Sequence, residues 1–204
     1  HVFNSKDLFN PVYQITESVK FSCQGGSIAR FGGQTFARSL ILNDPYAALH
    51  KPCKSFSDQN CDDFYAGIYL DGDPNNGQFE GGDQGFDSLL EETTQYVNSL
   101  AVAYAFQGGS FSSSDRDGIL TFLWYVTRYL RMARLEFPQT YQLLSGNACW
   151  RDAILTIWGR AWFYLELTDG MTKLGIDDVK LKGLVSDADL LNEITLLRQA
   201  SGCQ

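Results

Sequence analysis

The sequence predicts a mainly α-helical protein, a bundle of five to seven helices with an irregular N-terminal third and at most a minor strand pair. Apolar residues recur every three or four positions along most of residues 84–204. Capping residues precede these stretches, and glycine or proline follows them. At 204 residues with 44% hydrophobic side chains, the chain can form a sizeable core. We therefore predict a single domain over residues 1–204, with an irregular acidic part at 1–83 and a helical core at 84–204.

The N-terminal third gives mixed signals. Apolar and polar residues alternate over Tyr13–Cys23, which is typical of a strand. Residues 35–42 and 45–50 are each predicted to form a short helical segment. The first ends at a turn that contains Pro45, and the second ends before Pro52.

Two long helices are predicted after the acidic part. The first begins near Phe86, covers about twenty residues and ends at Gly108-Gly109. The second begins at Ser114, where Asp117 would complete a capping box, and ends at Pro138. The apolar stripes are Phe86, Leu89, Leu90, Thr93, Val97, Leu100 and Tyr104 in the first helix, and Ile119, Phe122, Leu123, Val126, Leu130 and Ala133 in the second.

Two further helices are predicted towards the C-terminus. Asn147 is a good N-cap for the first of them. The last helix is capped by Ser186 and closed by Gly202. Trp162 and Phe163 make the Asn147 helix apolar nearly all round, so we expect it at the centre of the domain. Its main stripe is Trp150, Ile154, Ile157, Trp158, Ala161 and Leu165.

Charge is distributed unevenly along the chain, whose formal net charge is -8. Eleven carboxylates and no lysine or arginine lie between Ser55 and Asp115. An acidic protein is poorly suited to nucleic acid, because phosphate binding needs a basic surface. No apolar run reaches the roughly 18 residues that a membrane span needs. We therefore expect neither a nucleic-acid partner nor a membrane span.

The acidic block contains a loop at residues 71–87 that is rich in oxygen ligands and turn-forming residues. This composition suits a hard cation such as calcium. The spacing is not that of an EF-hand, because Asn76 and Gly82 occupy the positions where that loop has glycine and glutamate. We predict an irregular calcium site, and a solvated acidic turn is the alternative. The predicted ligands are Asp71, Asp73, Asn75, Glu80 and Asp83.

The five cysteines favour an oxidising compartment. Cys53 and Cys61 can pair across a short loop, and Cys149 and Cys203 can join the C-terminus to a helix start, which leaves Cys23 unpaired. The chain begins with histidine and shows no leader pattern. We therefore expect a secreted chain whose signal peptide has been removed. The alternatives are a sequence that starts inside a longer protein and a reduced cytosolic protein.

Weaker signals point to three other sites. His1 and His50 together offer three nitrogens, a set that suits copper, although we favour calcium. Paired carboxylates can hydrolyse glycosides, yet no spacing selects a pair. The candidate carboxylates are Glu91, Glu92, Asp152, Glu166 and Asp169. A ridge of Arg128, Arg131 and Arg134 is a candidate to bind the acidic block or an anionic ligand, and a solvent-exposed helix face is the alternative. The H-E-x-x-H, G-x-S-x-G and P-loop motifs are absent from the sequence.

One family resemblance adds to these signals. The stretch Ser99-Leu-Ala-Val-Ala-Tyr-Ala-Phe-Gln-Gly, followed by Asp117-Gly-Ile-Leu-Thr-Phe-Leu-Trp-Tyr-Val-Thr-Arg-Tyr-Leu, resembles part of the helical activator region of secreted bacterial collagenases. It covers about residues 99–130, and the zinc motif of that family is absent. The resemblance implies a helical segment that engages substrate or assists another domain.

The sequence therefore favours a secreted helical binding or accessory module, stabilised by calcium, rather than an enzyme. We expect an extracellular macromolecule or a polysaccharide as its partner. The alternatives are a carboxylate-dependent secreted hydrolase acting on polysaccharide and a copper-dependent oxidase that uses the N-terminal histidine.

Overall fold

The computed structural model describes residues 86–106, 113–176 and 178–203. These residues form six α-helices and no strand, so the predicted mainly α fold is confirmed. The helices are α1 (Phe86–Ala105), α2 (Asp115–Glu136), α3 (Pro138–Gly146), α4 (Ala148–Leu167), α5 (Asp178–Val185) and α6 (Ala188–Ala200). None of them is long and apolar enough to cross a lipid bilayer. The strand and short helices predicted within residues 1–83 lie outside the described residues.

Helix α1 buries the face that its periodicity predicts. Thr93 fits this apolar face because its hydroxyl donates to the carbonyl of Leu89, four residues earlier, at 2.7 Å. Tyr104, the last predicted member of the stripe, is only half-buried. The buried predicted members are Phe86, Leu89, Leu90, Thr93, Val97 and Leu100.

Helix α2 forms the centre of the described bundle. It packs against α1, α3, α5 and α6, and all of residues 115–127 are buried. The sequence predicted this central position for α4, and that prediction is wrong. Although α4 is apolar nearly all round, Phe163 is 59% exposed and Trp162 is half-buried. Large apolar side chains can remain at a protein surface, so composition alone does not decide which helix is central.

The predicted stripe of α4 is nevertheless confirmed as its buried face. All six members are 5% exposed or less, and they are Trp150, Ile154, Ile157, Trp158, Ala161 and Leu165. The ring of Trp150 lies 6.1 Å from that of Phe86, and Phe86 lies 6.1 Å from Tyr129. These aromatic contacts join α4, α1 and α2 into one core.

Two of the predicted helix starts can be compared with the bonds that form there. Asn147 caps α4 as predicted, because its Oδ1 accepts the backbone N–H of Cys149 at 2.9 Å. The capping box at the start of α2 is wrong, since Ser114 makes no side-chain cap bond. Asp117 instead accepts the backbone N–H of Ile176 at 2.7 Å. A partner distant in sequence has taken the place of the local one.

The last helix also begins and ends close to the predicted positions. Asp187, rather than Ser186, is the N-cap of α6, and its Oδ1 accepts two backbone N–H groups at 3.0 and 3.2 Å. Gly202 has φ 75° after the C-terminus of α6. The backbone N–H groups of Gly202 and Cys203 donate to carbonyls of the last turn at 3.0 Å. This is the Schellman arrangement that favours glycine after a helix.

Helices α3 and α5 were not predicted from the sequence. Pro138 ends α2 as expected, but it also starts α3, where the first position needs no N–H donor. Only Phe137 separates the two helices. Helix α5 has eight residues, of which Leu181, Leu184 and Val185 are buried. Such a short stripe is too little to establish a helical period in the sequence.

The two cysteines of the described region do not bond to each other. Cys149 is disulfide-bonded, whereas Cys203 is a free, exposed thiol. The predicted pair of Cys149 and Cys203 is therefore wrong. The turn that closes α6 leaves Cys203 in solvent, where it cannot anchor the C-terminus. The other predicted pair, Cys53 with Cys61, and the thiol of Cys23 lie outside the described residues.

Candidate binding cleft

The first turn of α2 buries three consecutive charged residues, Asp115, Arg116 and Asp117. Buried charges are costly unless other groups pair with them. Asp115 accepts from the hydroxyl of Ser99 in α1 at 2.9 Å and from the hydroxyl of Ser113 at 2.6 Å. Asp117 binds the backbone of the loop between α4 and α5. The start of α2 therefore holds both α1 and this loop in place.

Arg116 is 2% exposed and connects three helices. Its Nε donates to Oδ2 of Asp178 in α5 at 2.9 Å, and its Nη1 donates to the carbonyl of Leu165 at 2.7 Å and the hydroxyl of Thr168 at 2.6 Å. The nearest carboxylate to its Nη2 is Oδ1 of Asp169 at 3.6 Å, which is longer than a hydrogen bond. Within the described part of the chain, Nη2 has no hydrogen-bond acceptor.

An open cleft of about 370 Å³ lies beside this guanidinium. One wall is a face of α5 and the residue that follows it, because positions 179, 182, 183 and 186 are spaced as one side of a helix. Two cationic and two anionic side chains line the cleft, so its charges balance. The lining residues are Arg116, Asp169, Asp178, Val179, Lys182, Gly183 and Ser186.

Gly175 lets the loop between α4 and α5 pass close to the ion-paired residues Arg116 and Asp178. A Cβ atom at Gly175 would lie 3.2 Å from the Cβ of Arg116 and 3.2 Å from the Cβ of Asp178. Both contacts are with atoms close to the backbone, which cannot rotate away as the end of a long side chain can. A larger residue at position 175 would therefore push the loop away from Arg116.

Two strongly exposed apolar side chains, here called the apolar rim, lie three residues apart in sequence, and one of them lines the cleft. Ile176 is 82% exposed and Val179, which also lines the cleft, is 84% exposed. They are the most exposed of the large apolar residues that the structure describes. With Arg116, which also lines the cleft, these side chains give one surface that offers both apolar contact and hydrogen bonding.

The predicted arginine ridge on α2 binds α6. Arg134 forms a two-pronged contact with the fully buried carboxylate of Glu193 at 2.7 to 3.1 Å, and Arg131 binds Asp189 at 2.7 Å. The hydrogen bond to Glu193 raises the pKa of Arg134. Burial, with the positive charge of Arg131, lowers the pKa of Arg128 to about 10. Arg131 and Arg134 thus join α2 to α6, rather than binding an anionic ligand.

The Arg128 guanidinium lies over the ring of Trp124, 5.1 Å from its centroid. Near Arg134, burial and the charge of Glu193 raise the pKa of Tyr141. The ion pairs of Arg131 and Arg134 form the polar part of the α2–α6 contact, and they lie on a different part of α2 from Arg116 in its first turn.

The predicted metal sites cannot be compared with the structure. The calcium ligands Asp71, Asp73, Asn75, Glu80 and Asp83, and the histidines of the copper alternative, lie outside the described residues. Within residues 86–106, 113–176 and 178–203, no group of three or more His, Cys, Asp or Glu side chains could hold a metal ion. The calcium site stays a prediction.

Of the five carboxylates considered for hydrolysis, only Asp169 reaches the cleft. Asp152 and Glu166 lie on exposed positions of α4, and Glu91 and Glu92 are half-buried in α1. Sequence reasoning missed Arg116 and Asp178 altogether. Asp178 lies in the first turn of a short helix, where an acidic residue is common, so nothing in its local sequence marked it.

Comparison with protein-family models, curated sequences and solved structures finds no match to this chain. The resemblance to the activator region of bacterial collagenases therefore stays a prediction. The candidate site rests on the geometry of the cleft alone.

Proposed function

We propose that the chain is a secreted helical binding or accessory module whose recognition surface is the cleft beside Arg116 with its apolar rim. The observation that carries this proposal is the combination of an open polar cleft with two exposed β-branched side chains, Ile176 and Val179. Exposed apolar groups next to convergent polar groups are typical of binding sites. In this proposal the ligand is part of an extracellular macromolecule or a polysaccharide, and calcium at the acidic loop stabilises the module.

The cleft is built to hold its shape. Hydrogen bonds of 2.6 to 2.9 Å fix Arg116 to α4 and α5, and the backbone N–H of Arg116 donates to the carbonyl of Leu174 at 3.0 Å. The N–H of Ser113 likewise donates to the carbonyl of Lys173 at 2.8 Å. A surface that is fixed before binding loses less conformational entropy when a ligand arrives.

A binding role fits the cleft better than glycoside hydrolysis. A hydrolase needs two carboxylates facing each other across the scissile bond. Here Asp169 and Asp178 both face the Arg116 guanidinium, as its counter-ions. Three of the four tryptophans, which could stack on sugar rings, are in the core instead, since Trp124, Trp150 and Trp158 are at most 5% exposed.

Binding and hydrolysis can be separated in one experiment on the full chain. Immobilised collagen, gelatin and a panel of polysaccharides would be incubated with the protein, and both retention of protein and release of peptide or reducing ends would be measured. We expect retention on one support without product release. The double change of Ile176→Ser and Val179→Ser should remove that retention.

Phe163→Ser provides a matched control, because Phe163 is 59% exposed and does not line the cleft. Equal loss of retention in the control and the rim variant would show that the cleft is not the recognition surface. Product release that Asp178→Asn abolishes would assign the chain to the hydrolases.

A further inference from the structure

We propose that the cleft binds a small oxyanion, a carboxylate or a phosphate group, between Arg116, Lys182 and Ser186. This inference rests on the proposed recognition surface and names the chemical group that the surface takes. An oxyanion is the ligand that a set of arginine, lysine and hydroxyl donors recognises.

The first donor is Nη2 of Arg116. The other two guanidinium nitrogens each have acceptors at 2.6 to 2.9 Å, so the orientation of the group is fixed. Nη2 carries two N–H donors, and among the described residues it meets only the carboxylate of Asp169 at 3.6 Å. Both Arg116 and Asp169 line the cleft. Arg116 as a whole residue is only 2% exposed, and an acceptor at hydrogen-bond length from Nη2 would add a charge-assisted hydrogen bond.

The second and third donors come from α5 and its end. Lys182 and Ser186 are four residues apart, so both side chains lie on the face that lines the cleft. Neither side chain bonds to another residue in the described part of the chain. The ammonium and the hydroxyl are therefore available to a ligand that already contacts Nη2.

Asp169 occupies the position that the oxyanion would take. Its side chain is 71% exposed, and its carboxylate stays 3.6 Å from Nη2. An exposed, long ion pair contributes little stability, so a ligand can displace this carboxylate at small cost. Asp178 remains on Nε after the displacement, and Arg116 with Lys182 then leaves the cleft net positive towards the ligand.

A cationic ligand attracted by Asp169 is the opposite possibility. It would leave the Nη2 donors without an acceptor and place a second cation beside Lys182. The donor set therefore favours an anion, and the two cases predict opposite effects of removing Asp169.

The test is a titration of the full chain, followed by NMR of backbone amides and arginine side chains. Sodium phosphate and sodium acetate would be compared with sodium chloride at equal ionic strength, which distinguishes a phosphate from a carboxylate preference. We expect saturable chemical-shift changes at Arg116, Lys182 and Ser186 with at least one oxyanion, with a Kd on the order of 10⁻³ M or tighter. Shifts that rise linearly to about 50 mM, as with chloride, would overturn the proposal.

Two charge variants test the role of Asp169. Asp169→Asn should tighten oxyanion binding by about two- to five-fold, which is the range expected for removal of an exposed competing pair. Glu166→Gln removes the same charge from an exposed position of α4 that does not line the cleft, so it should have a smaller effect. Weaker oxyanion binding in Asp169→Asn would show that this carboxylate does not compete with the ligand, and would overturn the proposal.

A pair of glycine variants tests occupation of the cleft. Gly183 lines the cleft and has open space around its Cβ position, so Gly183→Glu should fold and place a competing carboxylate beside Arg116. Gly159→Glu is the matched control, because Gly159 is exposed on α4 with equally open space. We expect at least a ten-fold loss of binding in the first variant and none in the second.

Equal oxyanion binding in both glycine variants would overturn the proposal. If Gly183→Glu does not fold, Lys182→Ala replaces it, and this variant should lose oxyanion binding. Retention on a macromolecule that depends on Ile176 and Val179, without any oxyanion binding, would leave the recognition surface standing and refute only the oxyanion.

Discussion

The ion pair between Arg134 and Glu193 should stabilise the bundle far more than the neighbouring pair between Arg131 and Asp189. Both pairs join α2 to α6, and the shortest N–O distance is 2.7 Å in each. They differ in burial, because the side chain of Glu193 is 0% exposed and that of Asp189 is 70% exposed. A buried carboxylate that loses its partner cannot be solvated, whereas an exposed one can.

The magnitudes follow from this asymmetry. Arg134→Met should lower the free energy of unfolding by about 3 kcal/mol, the lower end for breaking a buried pair, since the Arg134 side chain is itself 30% exposed and lets water approach. Glu193→Leu leaves a cation that water can reach, so it should cost only about 1 kcal/mol. The double variant replaces the pair by two apolar side chains and should also cost about 1 kcal/mol or less. The coupling energy is then about 3 kcal/mol.

Urea denaturation of the four proteins at pH 7 measures this coupling. The matched control is the cycle of Arg131→Met with Asp189→Asn, whose coupling should stay below about 1 kcal/mol, as for other exposed pairs. The reasoning fails if the two cycles give equal coupling energies. It also fails if Glu193→Leu costs as much as Arg134→Met, because burial of the carboxylate would then not be the cause.

Three further predictions concern the core, the cysteines and the acidic loop. Trp150→Ala should cost about 3–5 kcal/mol in a denaturant melt because it empties a fully buried site, whereas Phe163→Ala should stay within about 0.5 kcal/mol. Alkylation of the native protein without reductant should label Cys203, and mass spectrometry that finds it unlabelled would contradict the free, exposed thiol. Millimolar calcium should raise the melting temperature, because calcium at a hundredfold excess over Kd adds about 2.7 kcal/mol to the free energy of unfolding. Asp71→Asn with Asp73→Asn should abolish that rise, and an equal shift in sodium chloride of the same ionic strength would contradict a calcium site.

The buried faces of the long helices could be predicted because they depend on local periodicity. The six residues of the α4 stripe, from Trp150 to Leu165, are the six that the structure buries in that helix. The same pattern identified Phe86 to Leu100 in α1. A spacing of three and four residues is a property of one helix and needs no knowledge of its neighbours.

The place of each helix within the bundle could not be predicted in the same way. Helix α4 is richer in apolar residues around its circumference, yet α2 is the helix with neighbours on most sides. Helix α2 carries Arg128, Arg131 and Arg134, which made one of its faces resemble a solvent face. Carboxylates of α6 receive two of these arginines. Burial of a charged face depends on a partner that only the tertiary structure supplies.

The start of α2 shows the same effect at the candidate binding cleft. Local reasoning paired Ser114 with Asp117 three residues later, whereas Asp117 binds a backbone N–H 59 residues away and Arg116 binds Asp178 62 residues away. Those long-range bonds leave α2 without its side-chain cap and bury three charged residues in one turn.

Such a departure from local preference has to be offset by contacts elsewhere, and functional sites are where departures of this kind concentrate. At the first turn of α2 the buried charges are not all fully paired, because Nη2 of Arg116 lacks a hydrogen-bond acceptor within the described residues. An incompletely paired guanidinium in the wall of an open cleft is therefore the strongest physical reason to look for a ligand at this position.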